Sequence, residues 1–368
     1  MKKLLSLFIG VIIINLFSSA QNCSSESLLL TPGTLKSDVP YDSKKLTAMD
    51  LAKHKKVLAT ISDMIKLKYT PMGVKAGFHL NYGYPLPDRP ANDYTYSIIP
   101  LNFYCDGNTL KTAHETSTDF EITANGFESE IYDTAHGDRL LADGFNVMHH
   151  LPVEEDGCWR FKETSAGLGF GMTGKSTGWL VTYDGKLPYT YVTKKEFLEK
   201  RRRSLVVQKN MSAASFKETL KQLETEKGYM EVEYKNDPEK FKKYINGYTA
   251  TKTRYEKLLA GNEKEYQKAF DKIDVHLNKS AEELNQQAIV KQDPNDYLSY
   301  LFTDENDSFA EILIKPNPGY FNKKLPRSSP QFFWVYLRWD HNEPIATKFK
   351  GDIMKAVDFK LLKNMLGK

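Results

Sequence analysis

The hydrophobic period changes at Thr193, so the chain cannot be built from one kind of element throughout. From 74 to 192 apolar and polar residues alternate, as in Gly77–Tyr82, Tyr94–Ile99 and Leu101–Cys105. A period of two puts one face of a strand on a core. Beyond Thr193 the sequence turns rich in Lys, Glu and Gln. Phe241, Ile245, Tyr248, Tyr255, Leu259, Tyr266, Phe270, Ile273 and Leu277 then recur mainly four and three residues apart, with Lys252 and Asn262 interrupting the series. That spacing is helical. It predicts a long helix over about 238–290, paired with another over about 212–235. Asp237-Pro238 separates them, since proline fits a first helical turn and cannot continue an earlier helix.

The strand-like half carries its own punctuation. Thr47 with Asp50 has the spacing of a capping box. Leu51, His54, Val57, Leu58, Ile61, Met64 and Ile65 follow at helical spacing, giving a helix over about 47–68 that ends before Pro71 and Gly73. Asp106-Gly107 marks a turn. Asn125-Gly126 and Asp184-Gly185 read as hairpin turns, joining 119–123 to 127–132 and 179–183 to 189–192. Thr193 with Glu196 forms a second capping box. Ile312–Lys315 and Phe332–Trp339 read as strands, the second buried, and Asp352 starts a last helix. The expected fold class is α+β: an N-terminal helix plus antiparallel sheet, a helical hairpin insertion, and a small C-terminal β-β-α segment.

The N-terminus predicts an exported protein. Lys2 and Lys3 precede a mostly apolar stretch from Leu4 to Phe17, and Ser18-Ser19-Ala20 supplies small residues for cleavage before Gln21. This is the pattern of a secretory signal peptide, and the run is too short for a membrane span. Domains are expected as a signal peptide at 1–20, a lead-in at 21–43, an α+β domain at 44–200, a helical hairpin at 201–292 and C-terminal strands and helix at 293–368. The mature protein would be secreted or periplasmic, with no transmembrane span.

Composition narrows the function classes. The chain is 40% hydrophobic and 12% aromatic, too apolar for a disordered protein. Its formal charge is +4, and removing Lys2 and Lys3 halves it. That near balance predicts no nucleic-acid partner. Three cysteines are available in an oxidising compartment. Cys105 and Cys158 both lie in strand-like sequence and are expected to pair, leaving Cys23 in the lead-in.

Gly169–Ser176 matches the phosphate-binding loop letter for letter, but a helix must follow the lysine in such a loop. Here the β-patterned Trp179–Tyr183 follows, so the expectation is a glycine-rich turn, with no nucleotide and no cofactor. His149, His150, Glu154, Glu155 and Asp156 form the densest group of potential ligands. Adjacent strand residues point to opposite faces, so no metal site is expected. Asp304, Asn306 and Ser308 lack the glycine and glutamate of a calcium loop. The basic run Lys194, Lys195, Lys200, Arg201, Arg202 and Arg203 reads as a solvated helix face. Tyr82, Tyr84, Pro85, Pro87, Tyr94 and Tyr96 gather around one loop, as core or as a stacking surface.

Two segments carry a resemblance. Gly185–Leu198, and Pro318–Asn322 with Leu325-Pro326 and Pro330-Gln331, resemble segments of uncharacterised exported proteins of Bacteroidetes type. The resemblance implies export and a hairpin-to-helix junction, and no activity. The leading functional expectation is an exported non-catalytic binding or structural protein, with an envelope protein or a glycan as partner. The alternative is an exported hydrolase whose site assembles Asp133, His136, His149 and Glu154.

Overall fold

A computed structural model describes residues 23–37, 45–83, 90–126, 145–148, 150–169, 172–183 and 185–368. The signal-peptide reading of 1–20 lies outside these residues. The fold is α+β, in two compact units. The first comprises Met1–Glu128, Pro152–Pro188 and Pro318–Lys368; the second comprises Ser129–Leu151 and Tyr189–Asn317.

The first unit begins with α1 (Ser25–Leu30), β1 (Thr34–Ser37) and α2 (Ala48–Lys68). The strands β2 (Val74–Asn81), β3 (Tyr94–Asp106), β4 (Thr109–Thr112) and β5 (Asp119–Ala124) follow, then β7 (Val153–Glu155), β8 (Cys158–Gly169) and β9 (Met172–Val181), one strand, β6 (Asn146–Met148), belonging to the second unit. Its last elements are β14 (Phe333–Trp339), α6 (Pro344–Ala356) and α7 (Phe359–Met365). The sheet runs β1-β2-β3-β5-β14-β9-β8-β7, with β4 on β3. Every pairing is antiparallel except β1 with β2.

The apolar run 333–339 is continuous because β14 is central and buried on both faces. Phe333, Val335 and Leu337 join α2 (Leu58, Ile61, Ile65) and α6 (Phe349, Ile353) in one core. Trp334, pointing the other way, meets Phe161 edge-on at 5.1 Å. Gly178 makes room for that indole, since a Cβ there would lie 2.0 Å from Trp334 Cη2. Thr47 caps α2, accepting a hydrogen bond from Asp50 N at 3.1 Å. Tyr82, Tyr94 and Tyr96 are buried core residues.

The second unit holds β6, β10 (Tyr189–Tyr191), β11 (Ile289–Asp293), β12 (Asp296–Phe302) and β13 (Glu311–Pro316). Strand β13 pairs with β6, β10 and β11, and β12 extends β11. Between β10 and β11 stand α3 (Lys194–Glu233), α4 (Pro238–Leu277) and the short α5 (Ala281–Leu284). The chain leaves the sheet and re-enters it at one place, where Thr193 and Gln287 form an isolated bridge.

Several expectations are corrected. Cys105 pairs with Cys23, not with Cys158, which is a buried free thiol. In the sheet order β3 and β8 are four strand steps apart, roughly 19 Å at a spacing of about 4.8 Å per step, beyond the reach of a disulfide. The strand expected over 127–132 lies outside the described residues, and 189–191 does not pair with 179–183. Both edges of β5 are occupied, by β3 and β14, and both edges of β9 by β8 and β14. Strand β10 therefore pairs with β13 instead.

The domain limits at 200 and 292 do not coincide with the units. The first helix of the hairpin starts at Lys194 rather than about 212, and the second ends at Leu277. The C-terminal β-β-α segment is divided, with β13 in the second sheet and β14 central to the first. Its helix starts at Pro344 rather than Asp352 and breaks before Phe359, where Asp358 caps α7.

Candidate partner-binding arm

Helices α3 and α4 each contain 40 residues, about 60 Å at 1.5 Å per residue. Both starts are written locally. Thr193 Oγ1 accepts from Glu196 N at 3.2 Å while Glu196 Oε2 accepts from Thr193 N at 3.1 Å, closing a capping box. Asp237 Oδ1 accepts from Lys240 N at 3.1 Å, and Pro238 occupies the first turn of α4. Burial pushes the Glu196 carboxyl up, but Lys315 and the Thr193 bonds outweigh it and hold it below its ordinary value.

The base of the pair is packed. Phe197, Leu198 and Leu205 of α3 meet Tyr266, Ala269, Phe270 and Ile273 of α4 and the sheet residues Val290, Leu298 and Leu313. The basic run is divided: Lys195, Arg202 and Arg203 are exposed, as expected of a solvated face, whereas Arg201 is buried. Arg201 is 2% exposed, donates to the Leu298 carbonyl at 3.1 Å and lies 5.5 Å from the Tyr300 ring. Arg202 grips Asp274 through Nε at 2.9 Å and Nη2 at 3.4 Å. Lys200 sits 4.6 Å from the Phe145 ring, and Lys194 donates to Gln286 at 2.8 Å. Lys272 bridges Asp293 and Asp296 at 2.9 Å each; these bonds raise its pKa, and they help to lower that of Asp293.

Outward from the base the contacts become polar and paired. Lys209 meets Glu263 at 2.7 Å, and Ser212 donates to Asn262 Oδ1 at 3.2 Å. Phe216 lies 6.4 Å from Tyr255. Glu224 accepts from Lys252 at 2.6 Å and from the Tyr248 hydroxyl, and those bonds lower its pKa. Tyr234 lies 6.5 Å from Tyr244 near the tip. As numbers rise on α3 they fall on α4, which is an antiparallel register. The interruptions at Lys252 and Asn262 are thus cross-helix partners. A polar residue at a seam position fixes register at a cost in stability.

The outer part of the arm is thin. Among the described residues beyond Leu205 on α3 and before Tyr266 on α4, Tyr248 is the buried one. Val207, Met211, Tyr229 and Val232 are exposed on α3, from 57% to 76%.

The expected catalytic residues are not brought together among the described residues. Asp133, His136 and His149 lie outside them. Glu154 is exposed on β7, opposite Trp159 of β8. Among the described residues no group of three His, Cys, Asp or Glu side chains could hold a metal. Asp307 belongs to Lys291, Thr303 and the Phe309 N–H, with Lys291 first in holding its pKa down to about 2. The motif at Gly169–Ser176 starts at the last residue of β8 and ends within β9, with Phe170 and Gly171 outside the described residues, Thr173–Ser176 inside β9 and Lys175 3.7 Å from Glu163. No helix follows its lysine. Sequence reasoning missed buried Arg201, although it lies four residues from both Phe197 and Leu205.

No protein-family model, no curated protein and no solved structure matches the chain. The intrachain disulfide is compatible with an exported protein, and no helix among the described residues is long and apolar enough to cross a membrane.

Proposed function

We propose that the chain is an exported, non-catalytic binding protein whose working part is the α3–α4 arm, and that its partner is a protein of the cell envelope. The observation that carries this is the outer arm itself: two helices held in register by Lys209–Glu263, Ser212–Asn262 and Glu224–Lys252, with little buried seam to justify their length. Length beyond what a core needs is used for reach, and an exposed helical pair offers side chains to a groove or to other helices. Export supplies the compartment, and the disulfide is compatible with it.

Photo-crosslinkers at Val207, Met211 and Tyr229 test the reading in whole cells, with Thr109 on β4 as control. All are exposed, so replacement there leaves the fold alone. Discrete crosslinked adducts are expected from the arm and not from Thr109. Adducts from Thr109 alone, or from none of the arm sites, would end the proposal.

A further inference from the structure

We propose that the Cys23–Cys105 disulfide is a redox-sensitive fastener for an edge strap, residues 23–37, rather than a staple of the first sheet. The strap is α1 with β1, laid along the outer edge of β2. All eight residues of β2 pair with β3 on the inner side, whereas β1 covers only Lys75–Phe78 on the outer side. The bridge does not tie two central strands together. Cys105 lies past Ile98, where β3 stops pairing with β5, and it joins that outlying part of β3 to the start of the strap.

Without the bridge the strap is lightly held. Three of the four β1 residues are exposed, and Leu28 is the buried side chain of α1. Beside the short parallel ladder, Gly33 N donates to Pro71 O at 2.9 Å and Gly73 N to Thr31 O at 2.8 Å. One buried side chain, with Leu29 and Leu35 only partly buried, and a four-residue ladder on an exposed strand are the marks of a segment that opens locally. An external dithiol supplies two electrons and two protons. The Cys23–Cys105 bond breaks, each sulfur leaves as a thiol, and the reductant becomes its own disulfide. The strap then peels back toward α2 and leaves unpaired those N–H and C=O groups of Lys75–Phe78 that face away from β3, an edge open to another strand.

Amide exchange on the full chain tests this, using Cys158→Ser to remove the third thiol. Measurements are made on oxidised protein and after dithiothreitol. Exchange over 24–37 and 75–78 is expected to accelerate at least about tenfold, while 119–124 and 333–339 keep their rates. Cys23→Ser should reproduce the reduced pattern without reductant. If that variant fails to fold, reduction of the folded protein still decides. Unchanged exchange in the strap overturns the proposal, because its non-covalent contacts would then suffice. Acceleration of β5 and β14 together with the strap overturns it too, because the bridge would then hold the whole sheet.

Discussion

His54 is fully buried, stacks on Tyr94 with ring centroids 3.9 Å apart, and places Nδ1 2.8 Å from the Tyr82 carbonyl oxygen. A carbonyl oxygen only accepts, so Nδ1 carries a proton; burial favours the neutral ring, in which Nε2 holds the lone pair with no hydrogen-bond partner among the described residues. Burial lowers the pKa, outweighing the Tyr82 carbonyl and the carboxylates of Asp50 and Asp93, which act the other way. The unfolded imidazole binds a proton near pH 6.5 and the folded one only at lower pH. The stabilisation is therefore complete above about 6.5 and is lost as pH falls toward the folded value, by at most about 1.4 kcal/mol per pH unit for each histidine. His276, also lowered by burial, adds its share. Urea unfolding at about pH 7.5 and about pH 5 should show a smaller acid loss in His54→Phe than in the native chain, by no more than the linkage ceiling of about 2 kcal/mol between about pH 6.5 and pH 5. Parallel losses would mean that His54 is charged in the fold. At this scale the sequence is only partly legible. His54 shows its helical position but not its depth, and Arg201 looks like its neighbours Arg202 and Arg203. Cysteine pairing depends on strand order, which no local spacing encodes.

At the scale of elements, local chemistry was read best where it is self-contained. The caps at Thr47 and Thr193 stand where the sequence puts them, because each needs only a side chain and an N–H three residues on, and Pro238 stands in the first turn of α4 as expected. The Thr193 box marks the start of α3, but the expected seam begins only at about 212, because the first turns are basic and their apolar partners lie on the sheet. The seam of α4 was plain, and the structure shows that its two halves differ. Phe270 belongs to the packed base, 9% exposed, whereas Tyr255 is half-buried in the outer arm. Phe270→Ala should cost about 3–5 kcal/mol, since the base core closes over that ring. Tyr255→Ala should cost roughly 1 kcal/mol, in the range of ordinary partly exposed changes. Chemical denaturation of the two variants checks the contrast. Equal costs would mean that the outer arm contributes as much to stability as its base.

At the scale of the molecule, the order of strands in space departs most from their order in sequence. The last strand, β14, lies between β5 and β9 and pairs with six residues of one and seven of the other. Alternation and turns identify strands but not their neighbours: one edge of β9 pairs with the adjacent β8 and one edge of β5 with the nearby β3, but the other edge of each is taken by β14, far along the chain. The buried character of 332–339 was the legible trace of this arrangement, since a strand apolar on both faces has to be interior. The consequence is that the first unit cannot complete its sheet until the chain is nearly whole. Contacts this distant in sequence carry a large closure cost before any burial offsets it. A chain ending at Gln331 would leave the facing edges of β5 and β9 unpaired. It would also remove Phe333, Val335 and Leu337, together with Phe349 and Ile353 of α6, from the core shared with α2. Such a chain should lose the cooperative thermal transition of the first unit and its near-UV signal, beyond the range of any single core substitution. A variant that replaces residues 213–261 with a short loop joins the helices where Ser212 already meets Asn262, and it keeps the base packed. That variant should retain both signals although it removes more residues than the truncation does. If the shortened arm melts the first unit while the chain ending at Gln331 stays cooperative, the central place of β14 is wrong.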